Sequence, residues 1–339
     1  MTRRYIRQLA DGDAVEQVFF VAESCLRANR HGGLYLQMEL RDRSGSVEAR
    51  LWNADEGMAR RIRAGSFIHV RGKAQIYQGQ LQLIVNEAEV VERERIAWQD
   101  FFPHAEKDLA LLTTRLRSLL QTIRQPALKA LVHCFLADGT IMDRFGRVPA
   151  GVRNHHAYIG GLLEHVVRLL EAADRLLGPP GTLFPELDRD LCLAGIFVHD
   201  IGKVRELTAE EGFAYTDEGQ LVGHLAIGLE LLNEKIVESE RLTGQAFPTE
   251  LALRLKHIIL SHHGSYEFGS PVVPMTPEAI FVHYLDSLDA KVHSFARDIV
   301  ADLNPHSAWT SFQPHLGRRL FKGRSGLSPL EPPEGGASA

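Results

Sequence analysis

Along residues 15–92 apolar and polar side chains alternate. Val18-Phe-Phe-Val-Ala22 opens one strand, and Leu34-Tyr-Leu-Gln-Met-Glu-Leu40 places an apolar residue at every second position. Arg41-Asp-Arg-Ser-Gly-Ser46 has the composition of a turn, after which Val47-Glu-Ala-Arg-Leu-Trp52 alternates again. A short helical stretch, about Ala54 to Ile62, precedes a fourth strand beginning Phe67-Ile-His-Val-Arg-Gly-Lys-Ala74. A hairpin turning at Tyr77-Gln-Gly-Gln80 then returns through Leu81-Gln-Leu-Ile-Val85. Five strands with a helix between the third and fourth is the order of an OB barrel.

From Ala105 the period becomes helical. Leu109, Leu111, Leu112, Leu116, Leu119 and Leu120 share helical spacing, and a second apolar helix is predicted from Pro126 to about Met142. Residues 93–104, with Trp98, Phe101, Phe102 and Pro103, read as a linker. Beyond Asn154 nearly everything reads as helix: 160–177, 188–199, 220–239, 249–262 and 277–299, separated by loops such as Gly178-Pro-Pro-Gly181 and Gly264 to Pro277. The tail from Gly323 to Ala339 has too few apolar residues to fold. The predicted fold is therefore multidomain, α and β. A five-stranded barrel (15–92) leads through connecting helices (93–153) to an all-α bundle (154–300), then a C-terminal extension (301–339) disordered from about 323.

Composition changes this picture little. A chain of 339 residues fits two compact units. Its 45% apolar and 24% charged content is that of a soluble globular protein, and a net charge of −5 neither requires nor excludes a nucleic-acid partner. Three widely separated cysteines, Cys25, Cys134 and Cys192, give no disulfide framework and fit a reducing compartment. The N-terminus lacks the apolar stretch of a signal peptide, and no run approaches the ~18 apolar residues of a membrane span. The expectation is a cytoplasmic protein without a membrane partner.

The chemistry lies in the helical part. His199 and Asp200 end the apolar run Leu193-Ala-Gly-Ile-Phe-Val198, where a buried carboxylate is costly unless a cation compensates it. His262 and His263 likewise end Ile258-Ile-Leu-Ser261. His165 and His224 each sit in apolar surroundings where, taken singly, packing or capping would explain them. On the last helix His283, Asp286 and Asp289 are spaced three apart and share a face, so spacing alone does not choose among them. Delivery of metal-competent side chains by separate apolar helices is what marks the set. Imidazole with carboxylate suits manganese, iron, cobalt or zinc, and seven groups are too many for one tetrahedral site but enough for two ions sharing a bridge. Paired ions of this kind hydrolyse phosphate esters.

The order His165 … His199-Asp200 … Asp286 resembles the HD-domain metal-dependent phosphohydrolases, and His224 with His262-His263 resembles their two-metal subgroup. That resemblance implies that Asp200 bridges both ions and that Lys203, in Asp200-Ile-Gly-Lys203, approaches substrate phosphate. With an OB barrel ahead of it, the chain from about residue 15 to 300 resembles the YhaM family of 3′→5′ exoribonucleases. The matching segments are His155-His-Ala-Tyr-Ile-Gly-Gly-Leu-Leu-Glu-His165, Tyr215-Thr-Asp-Glu-Gly-Gln-Leu-Val-Gly-His224, Leu260-Ser-His-His-Gly264 and His283-Tyr-Leu-Asp-Ser-Leu-Asp-Ala-Lys291. The family implies two divalent ions, manganese foremost, a single-stranded RNA or DNA substrate cut to nucleoside monophosphates, and a homo-oligomer. His155 and His156 stand apart from the ligand set.

The same ligand set would serve a phosphodiesterase acting on a nucleotide or cyclic dinucleotide, which is the alternative reading. The cyclic-dinucleotide HD-GYP group carries Glu after the histidine pair and a later Gly-Tyr-Pro. Here Gly264 and Phe268-Gly-Ser-Pro271 stand instead, which argues against it. A non-catalytic scaffold would have little reason to retain all seven groups. On the barrel, strand position nominates Tyr35, Trp52 and Tyr77 for base stacking, with Arg41, Arg50, Arg71 and Lys73 for phosphates. Barrel core is the competing reading for Trp52 and Phe67.

Overall fold

The structure, a computed structural model, describes residues 3–29, 32–77, 80–101, 108–151, 158–178, 182–208, 214–302 and 307–323. The hairpin tip at Gln78-Gly79, Phe102 and Pro103, His155 and His156, the turn at 179–181 and the tail beyond Gly323 lie outside the described residues. The chain divides into two compact units. One comprises residues 1–106 with 158–160 and 207–216, and the other comprises the remainder. Among the described residues no helix is long and apolar enough to cross a membrane.

The first unit is the expected barrel. Strands β1 (Ala14–Ala28), β2 (Leu34–Asp42), β3 (Gly45–Trp52), β4 (Phe67–Tyr77) and β5 (Gln80–Val91) close in the order β1-β2-β3-β5-β4, with β3 and β5 parallel. Helix α1 (Glu56–Arg61) lies between β3 and β4, capped by Asp55, which accepts from Met58 N at 2.7 Å. Alternation decides the faces. Leu36, Met38 and Leu40 point into the core while Tyr35, Gln37, Glu39 and Arg41 face out. Phe67 is buried, but in a second cluster outside the barrel core, where it packs with Phe20 and Phe101. The stretch read as linker therefore begins as part of the barrel's flank: its aromatic residues bury apolar surface there.

The second unit is helical. It contains α2 (Leu109–Leu120), α3 (Pro126–Ala137), α4 (Gly139–Phe145), α5 (Gly161–Leu177), α6 (Arg189–Val198), α7 (Lys203–Glu206), α8 (Asp217–Leu221), α9 (His224–Thr243), α10 (Thr249–Ser261) and α11 (Pro277–Ala301). Helix α6 is the central one: Leu191 to Val198 are all buried, and α3, α5, α10 and α11 pack around it. Two predicted helices are each broken. The helix expected from Pro126 to Met142 divides at Asp138, whose carboxylate accepts from Thr140 N and Ile141 N, both at 3.0 Å, and so starts α4 afresh. The helix expected over 220–239 instead begins at His224, because Gly223 adopts φ +77° and separates α8 from α9. Residues 307–323 form a small folded extension in which Thr310 and Leu320 are buried and Lys322 pairs with Asp302.

Phe197 anchors the unit's core, edge-on to Phe135 at 5.8 Å and to Phe145 at 5.7 Å between ring centroids. Phe197→Ala should destabilise the helical unit by about 3–5 kcal/mol. Denaturant unfolding followed by far-ultraviolet dichroism would check this, with the barrel's transition as the internal reference.

Candidate metal centre and nucleic-acid interface

Helix α6 ends at His199, and Asp200 follows on the turn into α7. Asp200 is buried, and its two oxygens face different neighbours. Oδ2 lies 3.3 Å from His199 Nε2 and 2.6 Å from Lys203 Nζ. Oδ1 lies 3.5 Å from His262 Nε2 and 3.6 Å from His224 Nε2. On the first side His165, from α5, places Nε2 3.2 Å from Asp286 Oδ1, from α11. Donor atoms of His165, His199 and Asp286 all lie within 4.8 Å of one another, as do those of His224, His262 and His263, and those of His199, Asp200 and His262. The seven sequence-predicted ligands thus come together as two groups that meet at Asp200.

Each histidine is anchored through Nδ1. His199 bonds Ile196 O at 2.7 Å, His262 bonds Ile259 O at 2.8 Å and His263 bonds Phe268 O at 3.0 Å. His165 and His224 instead meet carboxylates, Asp289 and Glu206, each at 2.9 Å. A carbonyl oxygen only accepts, so the Nδ1 of those three rings carries the hydrogen and Nε2 keeps its lone pair. An ionised carboxylate imposes the same tautomer on the other two. Every Nε2 is thus the ring atom turned to the centre, and that of His165, held between Asp289 and Asp286, offers its lone pair only once it has lost its proton.

That arrangement needs a cation. His224 Nε2 and His263 Nε2 stand 3.2 Å apart with neither supplying a proton, so their lone pairs repel unless positive charge lies between them. His199 Nε2 and Asp200 Oδ1 are buried without a hydrogen-bond partner among the described residues. Borderline-soft nitrogen donors with a shared carboxylate fit divalent transition metal.

Protonation follows the same division. Burial works against a charged His165, but its hydrogen bonds to Asp286 and Asp289 prevail and raise it to about 9. Burial dominates at His262, pushing it down to about 4, and it lowers His263 too, helped by the neighbouring His224. Burial would raise Asp200 and Asp286, yet Lys203 and His199 hold the first, and His165 the second, below the usual carboxylate range. Lys203 is buried and charged: burial disfavours its ammonium, but Asp200 raises its pKa, and Nζ also donates to Ala150 O at 2.7 Å. Lys203 therefore does not face solvent.

On the barrel, Tyr35 and Trp52 are register partners across β2 and β3, with ring centroids 4.9 Å apart, and Trp52 is 41% exposed rather than core. Arg50, on the same outer row, lies 5.9 Å from the exposed Tyr77 ring. Ile84 of β5 pairs with Arg50 on one side and Lys73 on the other. Tyr35, Trp52, Arg50, Tyr77 and Lys73 therefore share one outer band. Arg71 is engaged elsewhere, paired to Glu16 at 2.8 Å and Glu87 at 3.2 Å, while Arg41 is paired to Glu39 at 2.7 Å and Arg50 to Glu48 at 2.9 Å, each within its own strand.

Comparison with known proteins agrees with both halves. The family model of the HD domain matches residues 162–291, and that of an OB-fold nucleic acid binding domain matches residues 21–91. The 3′-5′ exoribonuclease YhaM of Bacillus subtilis (strain 168) is 33% identical over 289 residues, 84% of this chain and 88% of that protein. The protein of that name from Bacillus velezensis is 34% identical, covering 83% of this chain and 86% of its own length. The one from Bacillus pumilus is 33% identical, with 84% and 88% covered. The chain belongs to the YhaM family.

In this YhaM-family chain several residues that support the candidate ligands had no distinct signal in the sequence. Glu206 accepts from both Nδ1 and the backbone N–H of His224, so one carboxylate orients a ligand and caps α9. Its hydrogen bonds from His224 outweigh burial and keep it ionised below its ordinary range. Asp289, an alternative to Asp286 by spacing, holds His165 through one oxygen, and its other oxygen takes Arg168 Nε at 2.7 Å. His283, the third residue of that face, bonds His262 O at 2.7 Å. Two glycines have steric reasons. A Cβ on Gly202 would stand 2.0 Å from His224 O, and one on Gly264, at φ +84°, would stand 2.0 Å from the His283 ring.

Two outcomes are expected. Below pH about 9 His165 carries a proton that it must release when Nε2 accepts a cation, whereas His262 is already neutral. Manganese affinity of the His165 half should therefore rise up to about tenfold per pH unit from 7 to 9 and level off above, with proton release measurable by calorimetry in buffers of differing ionisation enthalpy. Asp289→Asn should weaken manganese binding there by about 10–100-fold while leaving the His224 half intact.

Proposed function

We propose that this chain is a metal-dependent 3′→5′ exoribonuclease that shortens single-stranded RNA to nucleoside monophosphates. The observation that carries this reading is the convergence of five imidazole nitrogens and two carboxylates on two adjoining positions bridged by Asp200. His165, His199, Asp200 and Asp286 would hold one divalent ion, and Asp200, His224, His262 and His263 a second, with manganese the first candidate ahead of iron, cobalt or zinc. Bound there, the ions would acidify a water towards neutral pH and take up charge on the phosphate oxygens.

The chain's own residues do the rest. Asp200 stays ionised because Lys203 sits against it, so its two oxygens remain available to the two positions. Lys203 uses two of its N–H groups on Asp200 and Ala150, and the third is assigned to a non-bridging phosphate oxygen. Water oxygen attacks the terminal phosphorus, the bond from phosphorus to the 3′ oxygen of the preceding nucleotide breaks, and that oxygen leaves as the new 3′ hydroxyl. The departing product is a nucleoside 5′-monophosphate. The outer band of the barrel, with its aromatic rings flanked by Arg50 and Lys73, suits unpaired bases and their backbone. Tethering it to the helical unit raises the strand's local concentration for successive cuts.

On 5′-labelled single-stranded RNA with manganese, a ladder shortening stepwise from the 3′ end is expected, with Asp200→Ala abolishing it. Untouched RNA with metal-loaded protein would overturn the reading; a matched DNA strand reports the sugar preference. Trp52→Ala should raise KM for RNA by about 5- to 150-fold, the loss of roughly one stacked base, with kcat little changed.

A further inference from the structure

His165, His199, Asp200 and His262 of the metal centre are buried, Asp286 is partly exposed, and His224 with His263 form a partly exposed pair. The chain flanking that exposed pair is apolar and uncovered. Leu221 and Val222, 85% and 48% exposed, come directly before Gly223-His224. Tyr266 and Phe268, 68% and 70% exposed, sit on the 3-10 turn that follows His263. Because His224 Nε2 and His263 Nε2 are 3.2 Å apart, these two segments lead away from the same opening.

The second segment is rigidly held. His263 Nδ1 donates to Phe268 O, Gly264 passes over the His283 ring at φ +84°, and Ser270 Oγ donates to Leu260 O at 2.8 Å, fixing the turn to the end of α10. A pinned turn that keeps two large rings in water, where neither buries its faces, is preorganised for a flat apolar ligand. Glu267 lies between them in sequence and is exposed, so the turn carries a negative charge that favours an uncharged ligand surface over phosphate.

We propose that Tyr266 and Phe268 form a stacking subsite for the unpaired nucleobases at the substrate's 3′ end, with Leu221 and Val222 as the opposing apolar lip. The occupant follows from continuity: whatever phosphodiester reaches the metal centre carries its bases outward past this opening. The proposal rests on the nuclease reading above and adds to it a binding determinant separate from the barrel. Recognition there is by ring faces, so it tolerates any base but rejects a 3′ end whose bases are paired and stacked away.

The test compares a 5′-labelled RNA with one whose last two nucleotides are abasic, using the parent protein and Tyr266→Ala, Phe268→Ala, Tyr266→Phe, Phe268→Tyr, and leucine at each position. Bound manganese per chain is counted for all. Alanine and leucine should each raise KM on ordinary RNA by about 5- to 150-fold, whereas Tyr266→Phe and Phe268→Tyr keep it near the parent value. The abasic end should impose a similar rise on the parent and little more on the alanine and leucine variants. Equal losses on both RNAs, or unchanged KM in leucine variants that retain their manganese, would overturn the subsite. Should an alanine variant shed manganese, the leucine variants decide the matter, since they keep the turn apolar and remove only the ring. A parent protein that cuts neither RNA would instead sink the nuclease reading itself.

Discussion

The helical unit is organised around the charge of one buried carboxylate. Asp200 follows the wholly buried face of α6, where an ionised group without a counter-charge would be prohibitively costly. Lys203, buried with it, supplies the nearest positive charge at 2.6 Å, and three histidine nitrogens stand within 3.6 Å. The apolar packing of α3, α5, α10 and α11 on α6 keeps water away and so makes every one of these interactions stronger. Core and chemistry are therefore a single construction: of the four helices that bury α6, α5, α10 and α11 also bring candidate ligands to its end.

Around that carboxylate the protein controls orientation mainly through atoms that never face the centre. Three imidazoles are tied to carbonyls of their own neighbourhoods, Ile196, Ile259 and Phe268, so backbone geometry sets the ring directions directly. The other two are tied to carboxylates that have further duties, Glu206 at the start of α9 and Asp289 under Arg168. This links the centre's geometry to helix capping on one side and to a surface arginine on the other. Fixing the Nδ1 hydrogens also directs every Nε2 to the centre in advance, so the rings need little reorientation to accept a cation, although His165 must first release its proton.

The barrel solves a different problem with the same economy of means. Its alternating strands bury one face and leave the other free, and the free face of β2, β3, β5 and β4 gathers Tyr35, Trp52, Arg50, Tyr77 and Lys73 into a band. Arg71, equally cationic in sequence, is neutralised by Glu16 and Glu87 from adjoining strands. Charge counts along a strand therefore overstate how much positive surface is available to a phosphate.

Local pattern alone determined a good deal: the five strands and their order, the placement of most helices, and the pairs His199-Asp200 and His262-His263 at the ends of apolar runs. Those features depend on neighbours a few positions away, and periodicity reports them. What only the tertiary structure decided depends on distance between remote residues. His283, Asp286 and Asp289 share a helix face and look alike in sequence, yet one holds a backbone carbonyl, one faces the centre, and one grips His165 from 124 positions away. Glu206 resembles any helix-end acid until His224, 18 positions on, is folded against it. The breaks at Asp138 and Gly223 were hidden for a related reason, since a cap formed by one side chain or one positive φ interrupts a helix without disturbing the apolar period on which its prediction rests.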